Sequence, residues 1–509
     1  MRNRKTLRRV LLVAAAVLAV AVLGLFVTAR RLLGSDSVRT AIAQQLSAAL
    51  GQPVRIDTAG VSLFPRLAVE LHRVAIGNPV AVSLGEVRIA TGWRGLLSRT
   101  VDDAEITVAA TRISLPLPFS LVPASSETTG ASGASGFTIT SIGRISLRGV
   151  DLVADRHTLR VDLEAGIEHD TLTVDSLTAT AATTSIEARG AMSSMARAQG
   201  QFEASANPLD LDEMFAFAGA FTTPAPHGRA PSGTSASPMH IVVRLTAPRG
   251  NFGAHAFANL STTIDLTTGR VALAPMAVRL FDGTVQGKLA ADTSRSVPRL
   301  TLNGRLDGLD AAALIAAAGS PGSLTGRLGG TASLTADGTA ADALLRTAHG
   351  TIDMTVSDGR IPGLDMVRSV ILAFGKPSGA PPEGSGSAFT RLGGTFALAN
   401  GTLTSDNLAL ASRDFDLAGR GSLRLPGGGV EARADVVLSR ELTAQAGTDL
   451  RRYAEEDGRV VLPARIDGTI ARPVVFVDVE AAARRALQNE LKRRTKSLLD
   501  RLFKKKQKG

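Results

Sequence analysis

The residues in this sequence that could do chemistry are few and scattered. Cysteine is absent, which excludes disulfides and thiolate catalysis. There is no H-E-x-x-H motif, no histidine pair at metal-ligand spacing and no G-x-S-x-G nucleophile elbow. The sequence therefore predicts no catalytic residue, no metal ligand and no cofactor, and it does not favour an enzyme. The seven histidines are His72, His157, His169, His227, His240, His255 and His349.

One stretch resembles a phosphate-binding loop at first sight. Residues 283–289, GTVQGKL, place two glycines before Lys288. The stretch is one residue shorter than that motif, lacks the final Ser or Thr, and has strand patterns on both sides instead of a following helix. We interpret it as a hairpin turn.

The net charge of +11 is concentrated at the two ends of the chain. Residues 2–9 carry five Arg and Lys without an acid, and residues 484–509 carry eleven against two acids, so the body between them is slightly acidic. The chain has one Trp and one Tyr, Trp93 and Tyr453. A nucleic-acid-binding protein needs a basic face with stacking aromatic residues. The sequence therefore predicts no nucleic-acid partner.

The body of the chain is patterned for short strands. In residues 392–438, apolar residues alternate with polar ones, with breaks at residues 412–414 and 426–429. Alternation with period two between turn signals predicts an antiparallel meander with one apolar face. An aromatic content of only 4% suits an elongated repeat that packs on Leu, Val, Ile and Ala.

This unit recurs twice upstream with three apolar anchors at offsets 0, 5 and 14. Equal spacing in three copies predicts a repeat protein in which each unit buries its face against its neighbours. The alternative is a chance alignment of amphipathic hairpins, because the shared positions are only hydrophobic. The nine anchors are the candidates to line an apolar groove: Leu172, Leu177 and Ile186; Val271, Met276 and Val285; Leu403, Leu408 and Leu417.

Residues 10–29 are an uncharged apolar run behind the basic N-terminus. As a helix this run is about 30 Å long, enough to cross a bilayer core. The positive charges before it predict a cytoplasmic N-terminus and an exported body. The alternative is a signal peptide cleaved after Ala29, which we disfavour because the run is longer than the apolar core of a usual signal.

Residues 479–503 have the pattern of a basic amphipathic helix. Such a helix is typical of a segment that lies on an anionic membrane surface or docks on a partner. A solvated cap that seals the last strand is the alternative, and both hold if the leucines do the sealing. The candidate docking residues are Leu487, Leu491, Leu498, Leu502, Lys504, Lys505 and Lys506.

The predicted fold is mainly β, with a single N-terminal transmembrane helix, an elongated and groove-like repeating antiparallel β-sheet, short helices and the basic C-terminal amphipathic helix. Short helical patterns occur at residues 209–219, 309–319 and 365–375. The predicted segments are a basic cytoplasmic tail (1–9), a transmembrane helix (10–29), a stalk helix (35–50), an N-terminal β region (51–121), a linker (122–136), a first repeat block (137–221), a linker (222–238), a second repeat block (239–338), a C-terminal β region (339–478) with a loop (375–387), and the basic helix (479–509).

Four segments in chain order resemble successive parts of the AsmA family. They are QPVRIDTAGVSLFPRLAVELHRVAIGNP (residues 52–79), LLRTAHGTIDMTVSDGRIPGLDMVRSVILAFG (344–375), the meander 392–438 and LPARIDGTIARPVVFVDVEAAARRALQNELKRR (462–494). The resemblance implies an inner-membrane-anchored periplasmic protein of diderm bacteria, linked to outer-membrane biogenesis and envelope lipid homeostasis. AsmA proteins are similar to the chorein-type bridge-like lipid transfer proteins, whose repeating β-groove carries acyl chains. The implied partners are phospholipid acyl chains, the inner membrane, and either the inner leaflet of the outer membrane or an envelope protein.

Two architectures fit this pattern. A sheet with one apolar face must cover it with a second layer, with helices or with a ligand, so the sheet forms either an open gutter for acyl chains or a closed sandwich with an ordinary core. The resemblance favours the gutter. The corresponding functions are a protein that holds or conducts phospholipid, and an envelope scaffold that assists or regulates outer-membrane protein assembly without binding lipid.

Overall fold

The computed structural model of this chain is mainly β, with five short helices among the bounded elements of its described residues. It divides into two compact units, Met1–Ala274 and Pro275–Gly509, and this boundary falls inside the predicted second repeat block. The described residues are 39–40, 43–44, 46–47, 52–62, 66–92, 100–101, 103–115, 138–139, 141–154, 157–221, 239–317, 319–339, 341–373, 382, 384, 386–425, 428–446, 451, 454–478, 480–481 and 484.

Unit 1 consists of strands whose apolar residues alternate with polar ones, as the sequence pattern requires. Its elements are β1 (Val54–Ser62), β2 (Leu67–Ile76), β3 (Val82–Thr91), β4 (Thr100–Val101), β5 (Glu105–Leu115), β6 (Thr138–Ile139), β7 (Ser141–Ala154), β8 (His157–Glu168), β9 (Thr171–Thr180), β10 (Ser185–Ser194), β11 (Gln199–Ala206), β12 (Leu209–Asp210), α1 (Leu211–Phe221), β13 (His240–Phe252) and β14 (His255–Thr267).

Unit 2 continues the pattern, and the strand that contains the unit boundary is β15 (Arg270–Leu280). In the described part of unit 2, β16 to β23 pair in order as antiparallel neighbours, and β25 and β26 follow. Its further elements are β16 (Gly283–Asp292), β17 (Arg299–Asp310), α2 (Ala311–Ala317), β18 (Thr325–Asp337), α3 (Ala341–Thr347), β19 (His349–Ile361), α4 (Met366–Ala373), β20 (Ser387–Ala399), β21 (Thr402–Ala411), β22 (Phe415–Arg424), β23 (Gly429–Leu438), α5 (Arg440–Gln445), β24 (Glu455–Glu456), β25 (Arg459–Thr469) and β26 (Arg472–Val477).

The sheet is mostly antiparallel, as predicted, and departs from that pattern at two places in unit 1. There β5 runs parallel to β7, and β11 runs parallel to β13; the two-residue strands β4 and β12 also pair in parallel, with β6 and β13. Parallel neighbours need a connection long enough to return the chain to its starting end. The predicted linker 122–136 lies in the connection from β5 to β7. The predicted linker 222–238 lies in the connection from β11 to β13, which also contains α1.

The three short helical patterns are confirmed as α1, α2 and α4, with each helix beginning one or two residues later than predicted. The described residues between 39 and 47 are helical, in agreement with the predicted stalk helix. Helices α3 and α5 were not predicted. Helix α5 begins after Ser439, whose side chain accepts a hydrogen bond from the backbone N–H of Leu442, a usual N-cap arrangement.

The interpretation of residues 283–289 as a hairpin turn is wrong, because these residues lie in β16. The turn precedes them: Phe281 and Asp282 both have positive φ, 48° and 59°, as a two-residue type I′ hairpin requires. Gly287 instead allows β16 and β17 to lie close together, because a Cβ there would lie 2.3 Å from the carbonyl oxygen of Asn303.

A β-bulge explains the spacing of five residues between the first two anchors of a repeat. Residues five apart in a regular strand lie on opposite faces of the sheet. In β9, Asp175 has no partner on β8, so the strand gains one residue and its side chains change face. Leu172 and Leu177 therefore lie on the same face, and both belong to one hydrophobic cluster.

The same bulge occurs in β21. Its register with β22 shifts between Ser405 and Leu408, at the same distance from the anchor Leu403 as in β9. Two of the three predicted repeats thus share a ladder irregularity as well as apolar spacing, which confirms a repeating sheet. In the third repeat, the spacing from the anchor Val271 aligns Pro275 with the residue that follows the bulge residue in β9, and bulges are among the few places in a sheet that tolerate proline.

Five predicted segments lie outside the described residues: the cytoplasmic tail 1–9, the transmembrane helix 10–29, the linkers 122–136 and 222–238, and the docking residues from Leu487 to Lys506. Within the described ranges, none of the helices has both the length and the apolar character needed to cross a bilayer.

Deleting Asp175 tests the role of the bulge. Without the extra residue, either Leu172 and Val174 or Leu177 and Ala179 must turn to the polar face. We expect unit 1 to lose about 3–5 kcal/mol of stability, because burying one large aliphatic side chain contributes about 1.5–3 kcal/mol. Thermal unfolding followed by circular dichroism measures the change. The control Asp175→Ala keeps the residue count, and equal melting of both variants would contradict the assignment.

Candidate functional site

The apolar face of unit 2 is the candidate site, and strands β16 to β20 build it. The strand registers place three rows of residues side by side across these five strands. The first row is Val285, Leu306, Gly330, Met354 and Gly394. The second row is Gly287, Gly304, Ala332, Ile352 and Phe396. The third row is Leu289, Leu302, Leu334, Gly350 and Leu398. No polar side chain occurs in any of these rows.

The opposite face of the same strands is polar. One of its rows consists of Gln286, Arg305, Thr331, Asp353 and Thr395. On the next row Ser333 donates a hydrogen bond of 2.8 Å to Asn303 Oδ1. The strands therefore form one layer with a water-facing side and an apolar side.

The apolar face is covered unevenly. On β16 and β17, Leu289, Leu300 and Leu302 are half-buried. On β22 and β23, by contrast, Leu417 is 4% exposed and Val436 is 0% exposed. An acyl chain or another apolar ligand could contact the first group directly, whereas it would have to displace protein to reach the second.

Short helices account for this difference. The buried cluster of unit 2 includes Ala311 of α2, Met366 and Val370 of α4, and Leu442 of α5, packed with residues of β17 to β23 and of β25. A second, smaller cluster joins Ala348, Leu398 and Leu403 at the other end of the strands. Leu289, Leu300 and Leu302 of β16 and β17 belong to neither cluster.

Unit 1 has an apolar face of the same kind. One row crosses β8 to β14 and consists of Ala165, Val174, Gly190, Phe202, Val243 and Ile264. Its strands β1 to β10 contribute to a buried cluster that includes Leu46, 4% exposed, from the helical residues 39–47. On β13 and β14 the residues Ile241, Val243, Ile264 and Leu266 are only half-buried.

The nine groove candidates differ in the surface they leave accessible. Three are buried, with exposed fractions of 8% for Leu172, 6% for Leu403 and 4% for Leu417. A half-buried side chain still offers surface to a ligand, so the other six are the better placed, although contact with lipid stays a prediction for all nine. These six are Leu177, Ile186, Val271, Met276, Val285 and Leu408.

The anchor spacing missed most of the half-buried rows. Leu302, Ile352 and Phe396 of unit 2, and Val243 and Ile264 of unit 1, lie outside the three repeated triplets. Their signal was the plain alternation of apolar and polar residues in β13, β14, β17, β19 and β20. That alternation identifies a face, but only the register between strands shows which residues share a row.

The charged groups of this region lie on the polar face. Arg299 Nε is 2.7 Å from Asp337 Oδ1, and this hydrogen bond lowers the pKa of Asp337 below its usual range. The pair therefore favours the folded state above the ordinary carboxylate pKa and loses that effect as the pH falls through the lowered value. Within the described residues no group of three His, Cys, Asp or Glu side chains is placed to hold a metal ion.

A carboxylate should lower the stability of the fold less on the half-buried rows than beneath the helices. Leu302→Asp should cost less than about 2 kcal/mol, since a half-buried carboxylate can reach water, whereas Leu417→Asp should cost more than about 4 kcal/mol as an unpaired buried charge. Chemical denaturation of both variants measures this. Equal losses would mean that the face of β16 and β17 is packed like an ordinary core.

The comparisons with known proteins bear on this same region. No curated protein and no solved structure matches the chain. The AsmA family model matches residues 242–408, which run from β13 to β21 and contain the three apolar rows of unit 2. Residues 242–408 thus match the AsmA family, and this match supports the resemblance predicted from the sequence.

Proposed function

We propose that this protein holds or conducts phospholipid on the apolar faces of its sheet, in the service of outer-membrane biogenesis and envelope lipid homeostasis. The observation that supports this most is the half-buried apolar surface of Leu289, Leu300 and Leu302 on β16 and β17, strands whose opposite face is mainly polar. Soluble proteins seldom leave such a continuous apolar surface to water without a binding role.

The dimensions of the face suit an acyl chain laid across the strands. The three strands β16 to β18, spaced about 4.8 Å apart, span about 10 Å, about two thirds of the length of one acyl chain. One acyl chain fills half of a bilayer core of about 30 Å, and is thus about 15 Å long. Each CH₂ group removed from water contributes about 0.8 kcal/mol, so a chain in contact with the rows gains many times the thermal energy. Gly287, Gly304 and Gly330 have no side chain, so a ligand can approach the backbone of the sheet closely at these positions.

The proposed location follows from the ends of the chain. Residues 10–29 would anchor the protein in the bacterial inner membrane with the N-terminus in the cytoplasm, and the two units would lie in the periplasm. The basic helix 479–509 would contact an anionic bilayer, either the inner membrane or the inner leaflet of the outer membrane, or an envelope protein partner. Reporter fusions after Gly34 that are active only in the cytoplasm would exclude this topology.

Charged residues on the apolar face should lower the amount of bound lipid. We expect Leu177→Asp, Met276→Asp and Leu408→Asp to reduce co-purifying phospholipid while the β signal in circular dichroism persists, because water can replace lipid at a half-buried position. The measurement is lipid extraction and mass spectrometry of the soluble fragment that begins after Gly34.

The matched control is Thr331→Asp, on the polar face of β18. It should leave bound lipid unchanged. If the wild-type fragment carries no phospholipid, the scaffold function that assists outer-membrane protein assembly replaces the lipid function. If all three apolar-face variants unfold, those positions belong to a closed core.

Removing residues 484–509 tests the C-terminal helix. Near an anionic bilayer each basic residue contributes about 1 kcal/mol within a Debye length. The truncated fragment should therefore keep its sheet but lose binding to anionic vesicles in a flotation assay, and added salt should weaken binding of the wild-type fragment. Aggregation of the truncated fragment would instead identify the helix as a cap on the last strand.

A further inference from the structure

Helix α4 lies inside the curved apolar face of unit 2. It connects β19 to β20, and its residues Met366 and Val370 are 0% and 1% exposed. They share one cluster with Phe415, Val436 and Leu462 of β22, β23 and β25. On these strands a protein helix thus occupies the space that a ligand could occupy on β16 to β18.

Helix α4 also contacts β26, the last strand of the described ladder. Five strands separate β19 from β26 in that ladder. Just before α4, a Cβ on Gly363 would lie 2.8 Å from the carbonyl oxygen of Ala471 and 3.0 Å from Pro473 Cδ. The strands β20 to β26 must therefore curve around the helix and close on it.

A hydrogen-bonded clasp fixes the first turn of α4. The Asp365 carboxylate accepts hydrogen bonds of 2.7 Å from the backbone N–H groups of Gly384 and of Gly386. The hydroxyl of Ser387, a residue only 2% exposed, accepts a bond of 3.1 Å from the N–H of Met366 and donates to the carbonyl of Leu364. The helix start is thereby held to the start of β20.

We propose that α4 is a plug that ends the lipid-binding face of unit 2, and that the Asp365 clasp holds the plug in place. This inference rests on the function proposed above. Acyl chains lie on β16 to β18 and stop where α4 begins, because Met366, Val370 and the packed residues around them leave no apolar surface accessible. Lipid reaches the face of β22 and β23 only when the helix moves out.

Photolabelling of the full chain tests the plug without altering the protein. The chain is reconstituted in vesicles that contain a phospholipid with a diazirine on its acyl chain, irradiated and digested, and the adducts are located by mass spectrometry. Adducts should fall on β16 to β18, with about tenfold fewer on β22 and β23, since a plugged face opens only by local unfolding. Equal labelling of both groups would overturn the plug, whereas no labelling of any strand would overturn the proposed function itself.

The clasp is tested by Asp365→Ala, with Asp353→Ala on the exposed polar face of β19 as the matched control. Loss of the carboxylate leaves two N–H groups without their acceptor and loosens α4, so labelling of β22 and β23 should rise several-fold while circular dichroism stays unchanged. The control should label like the wild type. An unchanged pattern in the Asp365 variant would show that packing alone retains the helix, and the clasp would then be dropped from the proposal.

Discussion

The separation of apolar and polar side chains onto the two faces of one sheet is the constraint on which this structure depends. A strand alternates its side chains between faces, so a slip of one residue would expose a whole apolar set. The charges accordingly stay on one side, where Glu203 pairs with both Arg189 and Arg244 across neighbouring strands. Where the sequence spacing breaks the alternation, a bulge restores it.

A single layer leaves its apolar face to be covered by something else. Where a helix packs on the sheet, as α4 does against residues of β22, β23 and β25, the face becomes an ordinary buried core. Leu289, Leu300 and Leu302 lie outside the buried clusters and stay half-buried. The closed core and the open gutter, which the sequence presents as alternatives, therefore occur on different strands of the same unit.

Alternation and turn residues were enough to predict the strands, the break at residues 412–414 and three of the short helices. The parallel pairing of β5 with β7 could not be predicted, because a long linker does not reveal where the returning strand will dock. Helix α5 has only six residues, too few for periodicity to stand out. The exposure of individual leucines could not be predicted either. Leu302 and Leu417 both lie in alternating strand patterns, but Leu302 is half-buried whereas Leu417 packs in the same buried cluster as α4.

Because β9 and β21 share the bulge, each repeat carries its own correction of side-chain facing and is a complete structural unit. A whole copy can be gained or lost in evolution without turning any later strand over, because each copy restores its own facing. One added pair of antiparallel strands lengthens the apolar face by about 10 Å. Added copies would therefore lengthen the apolar face in fixed increments, whereas a copy without the bulge residue would turn the apolar side chains of the following strand segment to the polar face.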